Sequence, residues 1–444
     1  MKKTFILLVG LFLISVEGHS QLSQAQRDSI NQLTQADHRL MMDRLGLESL
    51  RPGPSGNPQA PNAANTDESK VKLVNLPDPL VFEDGAPVKN VEDWKKRKQE
   101  LFELFDREMY GRTPQNLPEV NWEIVWEKDS LIGETLTRYR KMKGLVDNSA
   151  FPEISVSIDF EYGVPKNVDK SVPLVLEFGW IWPAGMQRPT SPPGPSWQEQ
   201  VLAEGWGFGV IIPTSYQADN GAGLRSGIIG LVNKGKPRKL EDWGTLKAWA
   251  WGASRALDFL ATDSKINAQK VVIEGLSRYG KAALVTLAYD DRFSMGLIGS
   301  SGAGGAKLLK RVFGEQIENL ASSGEYHWFT PNFIRYAGPM TQDDLPIDAH
   351  ELIALCAPRP MFISVGSPTV EGQWIDGKGM FDAAVLAGPV YELFGKKPLP
   401  VREFPPLGTN LNSGDLAFRQ HEGGHTVGPN WPFFIVWAER YLGK

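Results

Sequence analysis

The sequence predicts an α/β protein, a three-layer sandwich whose central, mainly parallel sheet is preceded by antiparallel strands. Three observations carry this. Residues 120–126, 135–142 and 154–160 alternate apolar with polar, the pattern of antiparallel strands half exposed on one face. Short, nearly continuous apolar runs follow at 172–178, 207–212, 270–274, 295–298 and 361–365, as strands covered on both faces require. Helix-like stretches separate or follow those runs, at 243–260, 279–288 and 380–394, which is the alternation of a doubly wound sheet. Antiparallel strands leading into a parallel sheet is also the order of an α/β-hydrolase, and on pattern alone other doubly wound folds stay open.

Taken in order, Lys2 and Lys3 precede an apolar run from Phe5 to Val16, and Gly18-His19-Ser20 offers small residues near a cleavage point. That run is too short to span a bilayer, so residues 1–20 read as an export signal. Residues 22–50 carry a helical pattern with Leu40, Met41, Leu45 and Leu47. A Pro/Gly/Ala/Asn-rich stretch follows to about Asn65; such composition buries little surface, so residues 21–74 are expected to form a helical and extended arm or linker ahead of one domain over 75–444. Trp94, Leu101, Leu104 and Phe105 share one face of a helix over 91–110, with Lys95-Lys96-Arg97-Lys98 on its solvated side. Residues 431–442 close the chain as an apolar helix.

The 444 residues carry 52 Asp and Glu against 47 Lys and Arg, a net charge of −5, without the basic excess of a nucleic-acid binder. The 45 Gly and 32 Pro exclude a coiled coil or simple bundle, and the 14 Trp suit either sugar faces or core packing. The lone Cys356 lies in an apolar context and reads as a buried packing residue, so no internal disulfide is available. No metal is expected, since there is no H-E-x-x-H and one Cys makes no thiolate cluster. No phosphate loop is present, and no cofactor is expected.

The strongest local feature is Lys270-Val-Val-Ile-Glu274-Gly275-Leu276-Ser277-Arg278-Tyr279-Gly280-Lys281. A β-rich run ends at Gly275, a serine follows, and a helical run begins at once, the context of a nucleophile elbow. The spacing is G-x-S-x-x-G rather than G-x-S-x-G. A serine nucleophile needs a base. His425, in the Gly-rich stretch Glu422-Gly423-Gly424-His425, is the first candidate and His421 its competitor, while His350 reads as a support or capping residue. The acid is expected after the 361–365 strand, where Glu371 comes first and Asp376 second.

These residues resemble a known family. Gly275-x-Ser277-Arg278-x-Gly280-Lys281 is similar to the G-C-S-R-x-G-K signature of glucuronoyl esterases, carbohydrate esterase family 15. Ser300-Ser301-Gly302-Ala303-Gly304-Gly305, His327-Trp328-Phe329, Asp348-Ala349-His350-Glu351, Ala357-Pro358-Arg359-Pro360, Trp374-Ile375-Asp376 and Gly423-Gly424-His425 follow in the family's order. The resemblance spans about residues 75–444 and implies an α/β-hydrolase cleaving the ester between a glucuronic acid on xylan and a lignin alcohol. It implies Ser277 as nucleophile and His425 as base, Arg278 on the oxyanion, and Lys281, Trp374 and His327 in substrate binding. Two departures stand out. Leu276 replaces a Cys found in many fungal members, and Ser300 occupies the place where many members carry the triad Glu in a Gln-Glu-Ser-Gly context. Glu371 is therefore the expected acid, with Asp376 behind it.

The expectation is an exported serine esterase, periplasmic or extracellular and monomeric, acting on glucuronoxylan or a lignin-carbohydrate ester. Cationic Arg278 and Lys281 suit an oxygen-rich acyl group better than a fatty chain. Its rivals are an acetyl-xylan or related carbohydrate esterase, and a non-catalytic glycan-binding protein on a hydrolase scaffold.

Overall fold

The computed structural model describes residues 23–72, 74–180 and 194–443; the expected export signal lies outside them. Ten strands form one sheet: β1 (Val120–Ile132), β2 (Thr135–Val146), β3 (Ser157–Pro165), β4 (Val172–Phe178), β5 (Gly207–Ile212), β6 (Ile266–Leu276), β7 (Met295–Gly299), β8 (Met361–Val365), β9 (Asn410–Leu411) and β10 (Leu416–Gln420). Their order is β1-β2-β3-β5-β4-β6-β7-β8-β10-β9. From β5 to β10 neighbours run parallel, while β1, β2, β3 and the short β9 are antiparallel to theirs. This is the α/β-hydrolase arrangement.

Alternation along each parallel strand divides the core between the two faces of the sheet. Leu174, Leu176, Ile273, Ile298 and Ile363 pack into one cluster with the helices Thr245–Leu260, Arg278–Tyr289 and Gly377–Leu393. Val175, Val272, Leu297 and Phe362 pack into the other, beneath the helices Trp197–Ala203 and Trp431–Leu442. Strands covered on both sides carry apolar residues at successive positions, hence the unbroken runs. The one cysteine, Cys356, is free and buried. No helix among the described residues is long and apolar enough to cross a membrane.

The stretch after the first helix, Gln24–Arg44, is extended and anchored to the domain. Arg51 donates to the carbonyls of Tyr336 (2.5 Å) and Met340 (2.9 Å) and pairs with Glu318 at 2.9 Å. Met41 on the helix and Leu47 just past it are buried in the main core. Backbone-directed hydrogen bonds and a few apolar anchors fix a segment whose composition would not fold alone. One expectation is corrected here. Along the helix Val91–Phe105, Arg97 leaves the solvated face: its guanidinium turns inward to Glu351 at 3.2 Å and Glu100 at 2.9 Å.

Candidate active site

β6 ends at Leu276, Ser277 follows, and the Arg278–Tyr289 helix starts at the next residue. Ser277 has φ 63° and ψ −130°, a conformation a non-glycine residue holds only where its surroundings impose it. Those surroundings are visible: its N–H donates to Gly299 O at 2.8 Å, and its carbonyl accepts from Lys281 N at 3.0 Å. A Cβ on Gly275 would stand 2.1 Å from Tyr279 O, and one on Gly280 would stand 2.5 Å from Gly299 O. Both small residues of the G-x-S-x-x-G spacing are thus required by how closely helix and strands approach. The helix N-terminus behind Ser277 supplies partial positive charge there.

β8 and β10 are parallel neighbours with Val365 opposite Gln420, so the loops that follow them leave the same edge of the sheet. The first carries Glu371 and the second His425, and they meet: His425 Nδ1 lies 2.5 Å from Glu371 Oε1. The other carboxylate oxygen, Oε2, accepts the Gly366 N–H. The Glu371 side chain is 3% exposed and that of His425 is 45% exposed. This pairing fixes Nδ1 as the protonated nitrogen and leaves Nε2 as the basic one. Val427, two residues past His425, packs against Gly299, whose carbonyl holds the Ser277 amide; a Cβ on Gly299 would meet Val427 Cγ1 at 2.2 Å. The histidine loop therefore sits on the elbow.

The competitors are occupied elsewhere. His421 is buried, with Nε2 on Thr426 O at 2.8 Å and Nδ1 accepting from Gly423 N at 3.0 Å, so it braces the loop that presents His425. Asp376 caps the Gly377–Leu393 helix through Gly379 N at 2.9 Å and pairs with Arg311 at 3.0 Å. His350 is buried against Pro77 O at 2.7 Å. Ser300 is fully buried and its hydroxyl has no hydrogen-bond partner among the described residues.

On the helix side, Arg278 Nη1 donates to Asp219 Oδ2 at 2.6 Å. The other oxygen, Oδ1, takes His327 Nε2 at 2.9 Å and Trp328 Nε1 at 2.7 Å. Burial alone would raise the Asp219 carboxyl; the hydrogen bonds from His327 and Trp328 and the adjoining Arg278 hold it well below the usual carboxylate range. Burial pushes His327 below the usual imidazole range against the pull of Asp219, so it is a neutral donor. Hence His327 does not line the open site as expected. It is 1% exposed, its Nε2 is committed to Asp219, and it supports the groups in front of it. Lys281, also buried, holds its ammonium 5.2 Å above the Trp328 ring.

Trp374 stands on a short turn with Nε1 directed to Glu315 Oε1 at 3.3 Å and the arm's Gly56 against its ring. Glu325 is the remaining ionisable group: burial, with Glu315 adding, pushes it up to about 7 against the pull of Lys281 and Arg278. One Glu325 oxygen is buried without a partner. Sequence patterning does not single out Asp219 or Glu325. The only signals were indirect: Asp219 follows the carboxyl end of a parallel strand, where ligands bind in such sheets, and Glu325 immediately precedes the Tyr326–Trp328 turn.

An exposed imidazole with an ordered carboxylate partner, a strained serine at a helix N-terminus and an adjacent guanidinium form the set that acyl transfer requires. Comparison with known proteins gives the family. Residues 238–395 match the family model described as glucuronyl esterase, fungi. The chain is 30% identical over 415 residues to a carbohydrate esterase from an unknown prokaryotic organism, covering 86% of this chain and 93% of that protein. A 4-O-methyl-glucuronoyl methylesterase from Schizophyllum commune is 28% identical over 72% of this chain and 74% of its own length. The solved glucuronoyl esterase from Teredinibacter turnerae, of family CE15, superposes with a TM-score of 0.86 at 43% identity, covering 92% of this chain and 99% of that one. The chain belongs to the glucuronoyl esterases of carbohydrate esterase family 15 and is a carboxylic ester hydrolase of the α/β-hydrolase fold.

Proposed function

We propose that this chain hydrolyses glucuronoyl esters joining glucuronoxylan to lignin alcohols, with Ser277 as nucleophile, His425 as base and Glu371 as the acid of the triad. The observation that carries the mechanism is the His425–Glu371 hydrogen bond of 2.5 Å, formed by a loop that packs on the Ser277 elbow. Ser277 Oγ attacks the uronoyl carbonyl and passes its proton to His425 Nε2. Glu371 stabilises the imidazolium, and Arg278 with backbone N–H groups stabilises the oxyanion. His425 then protonates the departing alcohol, and water, activated by the same imidazole, releases the acid from Ser277. Lys281 and Trp374 contact the sugar, while His327 holds Asp219 and through it Arg278. The Lys281 and Arg278 charges favour an oxygen-rich acyl group over acetate or a fatty chain. The same reading has the chain exported through residues 1–20 and working as a monomer on plant cell-wall material.

Hydrolysis of a methyl or benzyl glucuronate ester, run beside acetylated xylan, tests the substrate. Faster turnover of the glucuronate ester, abolished in Ser277→Ala, is expected. Preference for acetylated xylan would move the assignment to an acetyl esterase. Sugar binding without turnover of either would make the protein a glycan-binding module.

A further inference from the structure

Arg278 is the residue after the nucleophile, and a surface arginine beside Ser277 would sample many rotamers. Here its freedom is removed in two ways. The guanidinium lies 5.4 Å from the Trp180 ring and 5.6 Å from the Trp328 ring. Its Nη1 is held at 2.6 Å by Asp219 Oδ2. The Asp219 carboxylate is itself clamped from behind, because both donors to Oδ1 come from the single short turn Tyr326–Trp328. What the arginine has left is informative. The Arg278 side chain is 37% exposed, so part of its guanidinium stays open to a bound ester while Nη1 is held.

We infer that Asp219 is a positioning residue of the reaction, fixing the Arg278 guanidinium so that its unspent N–H groups meet the negative oxygen formed when Ser277 attacks. The inference rests on the esterase reading above. Asp219 touches neither ester nor sugar and acts through Arg278 alone, with His327 and Trp328 as its own supports. Preorganisation of this kind serves the transition state rather than substrate binding, because the donor is already aimed before charge develops.

The test is a double-mutant cycle on a methyl glucuronate ester with the full chain: Asp219→Ala, Arg278→Ala and the pair, each with its melting temperature. Loss of one oxyanion donor costs about 10²–10³ in kcat. Asp219→Ala misaims the donor without deleting it, so kcat falls about 10–10²-fold while KM stays within about threefold. The pair is no slower than Arg278→Ala alone, since nothing remains for Asp219 to position. Asp219→Asn, which keeps an oxygen for Arg278, recovers part of the loss and carries the cycle should the alanine variant not fold. Parental kcat in Asp219→Ala would overturn the inference, as would a double variant that loses the product of the two single losses. A general structural defect would give that product. A parent without turnover would overturn the esterase reading itself, whereas an active parent with multiplicative losses overturns the part given to Asp219 alone.

Discussion

Two buried carboxylates near the nucleophile have opposite fates. Glu371 has a side chain only 3% exposed, yet both its oxygens are bonded, one to His425 and one to the Gly366 amide. Glu274 lies three residues before Ser277 on β6, is 1% exposed, and neither of its oxygens has a partner among the described residues. Beside it on β4 stands Glu177, its register partner. Burial pushes Glu177 up to about 7, and burial together with Glu177 pushes Glu274 well above the usual carboxylate range. Depth alone therefore does not decide how such a carboxyl fares. The number of donors aimed at the oxygens decides it, because desolvation costs the charged form unless hydrogen bonds replace the lost water.

The largest effect that follows is on Glu371. Glu371→Gln keeps the shape but removes the charge that orients and stabilises the imidazolium, so kcat on a glucuronate ester should fall roughly 10²–10⁴-fold with the fold intact. Turnover within a few-fold of the parent would mean that a His425–Ser277 dyad suffices. Asp376 supplies the contrast, since it was the other acid the sequence allowed. Asp376→Asn removes the buried carboxylate from Arg311 and leaves it the half-exposed Glu68, so stability should fall by up to about 3–5 kcal/mol, the cost of losing one side of a buried pair. Asn tolerates the left-handed backbone at that position (φ 57°), so the loss isolates the charge. Denaturant unfolding should show a lower midpoint while kcat of the folded enzyme holds. A collapse of kcat with unchanged stability would make Asp376 the acid instead.

Why some of this was legible in sequence and some was not comes down to locality. β4 to β8 announce themselves because strands covered on both faces need consecutive apolar residues. β10 did not: Leu416-Ala-Phe-Arg-Gln420 ends in two polar residues, yet all five are buried. Arg419 is tolerated because Asn430 Oδ1 takes its Nη1 at 2.8 Å and its guanidinium lies 4.0 Å from the Phe433 ring. Ser277 carries a local signature, since elbow, helix start and glycines are adjacent in the chain. Glu371 and His425 could be found as the first carboxylate and the Gly-flanked histidine past a strand. Asp219 reaches Arg278 across 59 residues, through a contact that only folding creates, and a single Asp in a loop has no spacing to betray it.

The comparison can next be sharpened through pH. For Glu274 and Glu177 the folded chain holds protons that the unfolded chain releases above about pH 4.5. Their contribution is thus fully present below that pH. It is lost as pH rises, through about 7 for Glu177 and well above the usual carboxylate range for Glu274, at up to about 1.4 kcal/mol per pH unit and group. Glu161 on β3, Tyr139 bonded to it on β2 and Trp197 above the sheet are the other polar groups facing this pair, and among the described residues no cation contributes to either shift. Melting temperatures of the parent between pH 5 and 8.5 should decline, and Glu274→Gln, which cannot ionise, should flatten that decline. Identical slopes in the two proteins would show that Glu274 finds a partner when it charges.

The smallest effect is expected at Ser300, and its smallness is the point. This position is where, by the resemblance drawn from the sequence, many members of the family place the carboxylate whose part is proposed here for Glu371. Ser300 sits at the end of β7 with φ 38°, its N–H on Ser364 O at 2.8 Å and its hydroxyl unbonded. The backbone is therefore held by its neighbours, and the side-chain oxygen contributes nothing to the fold. Ser300→Ala removes a buried hydroxyl that gains no hydrogen bond, so stability should shift by no more than about 0.5 kcal/mol, on the stabilising side if at all, and kcat should equal that of the parent. A tenfold loss of kcat would mean that this position also acts on His425, and that the proposed triad has two anchors rather than one.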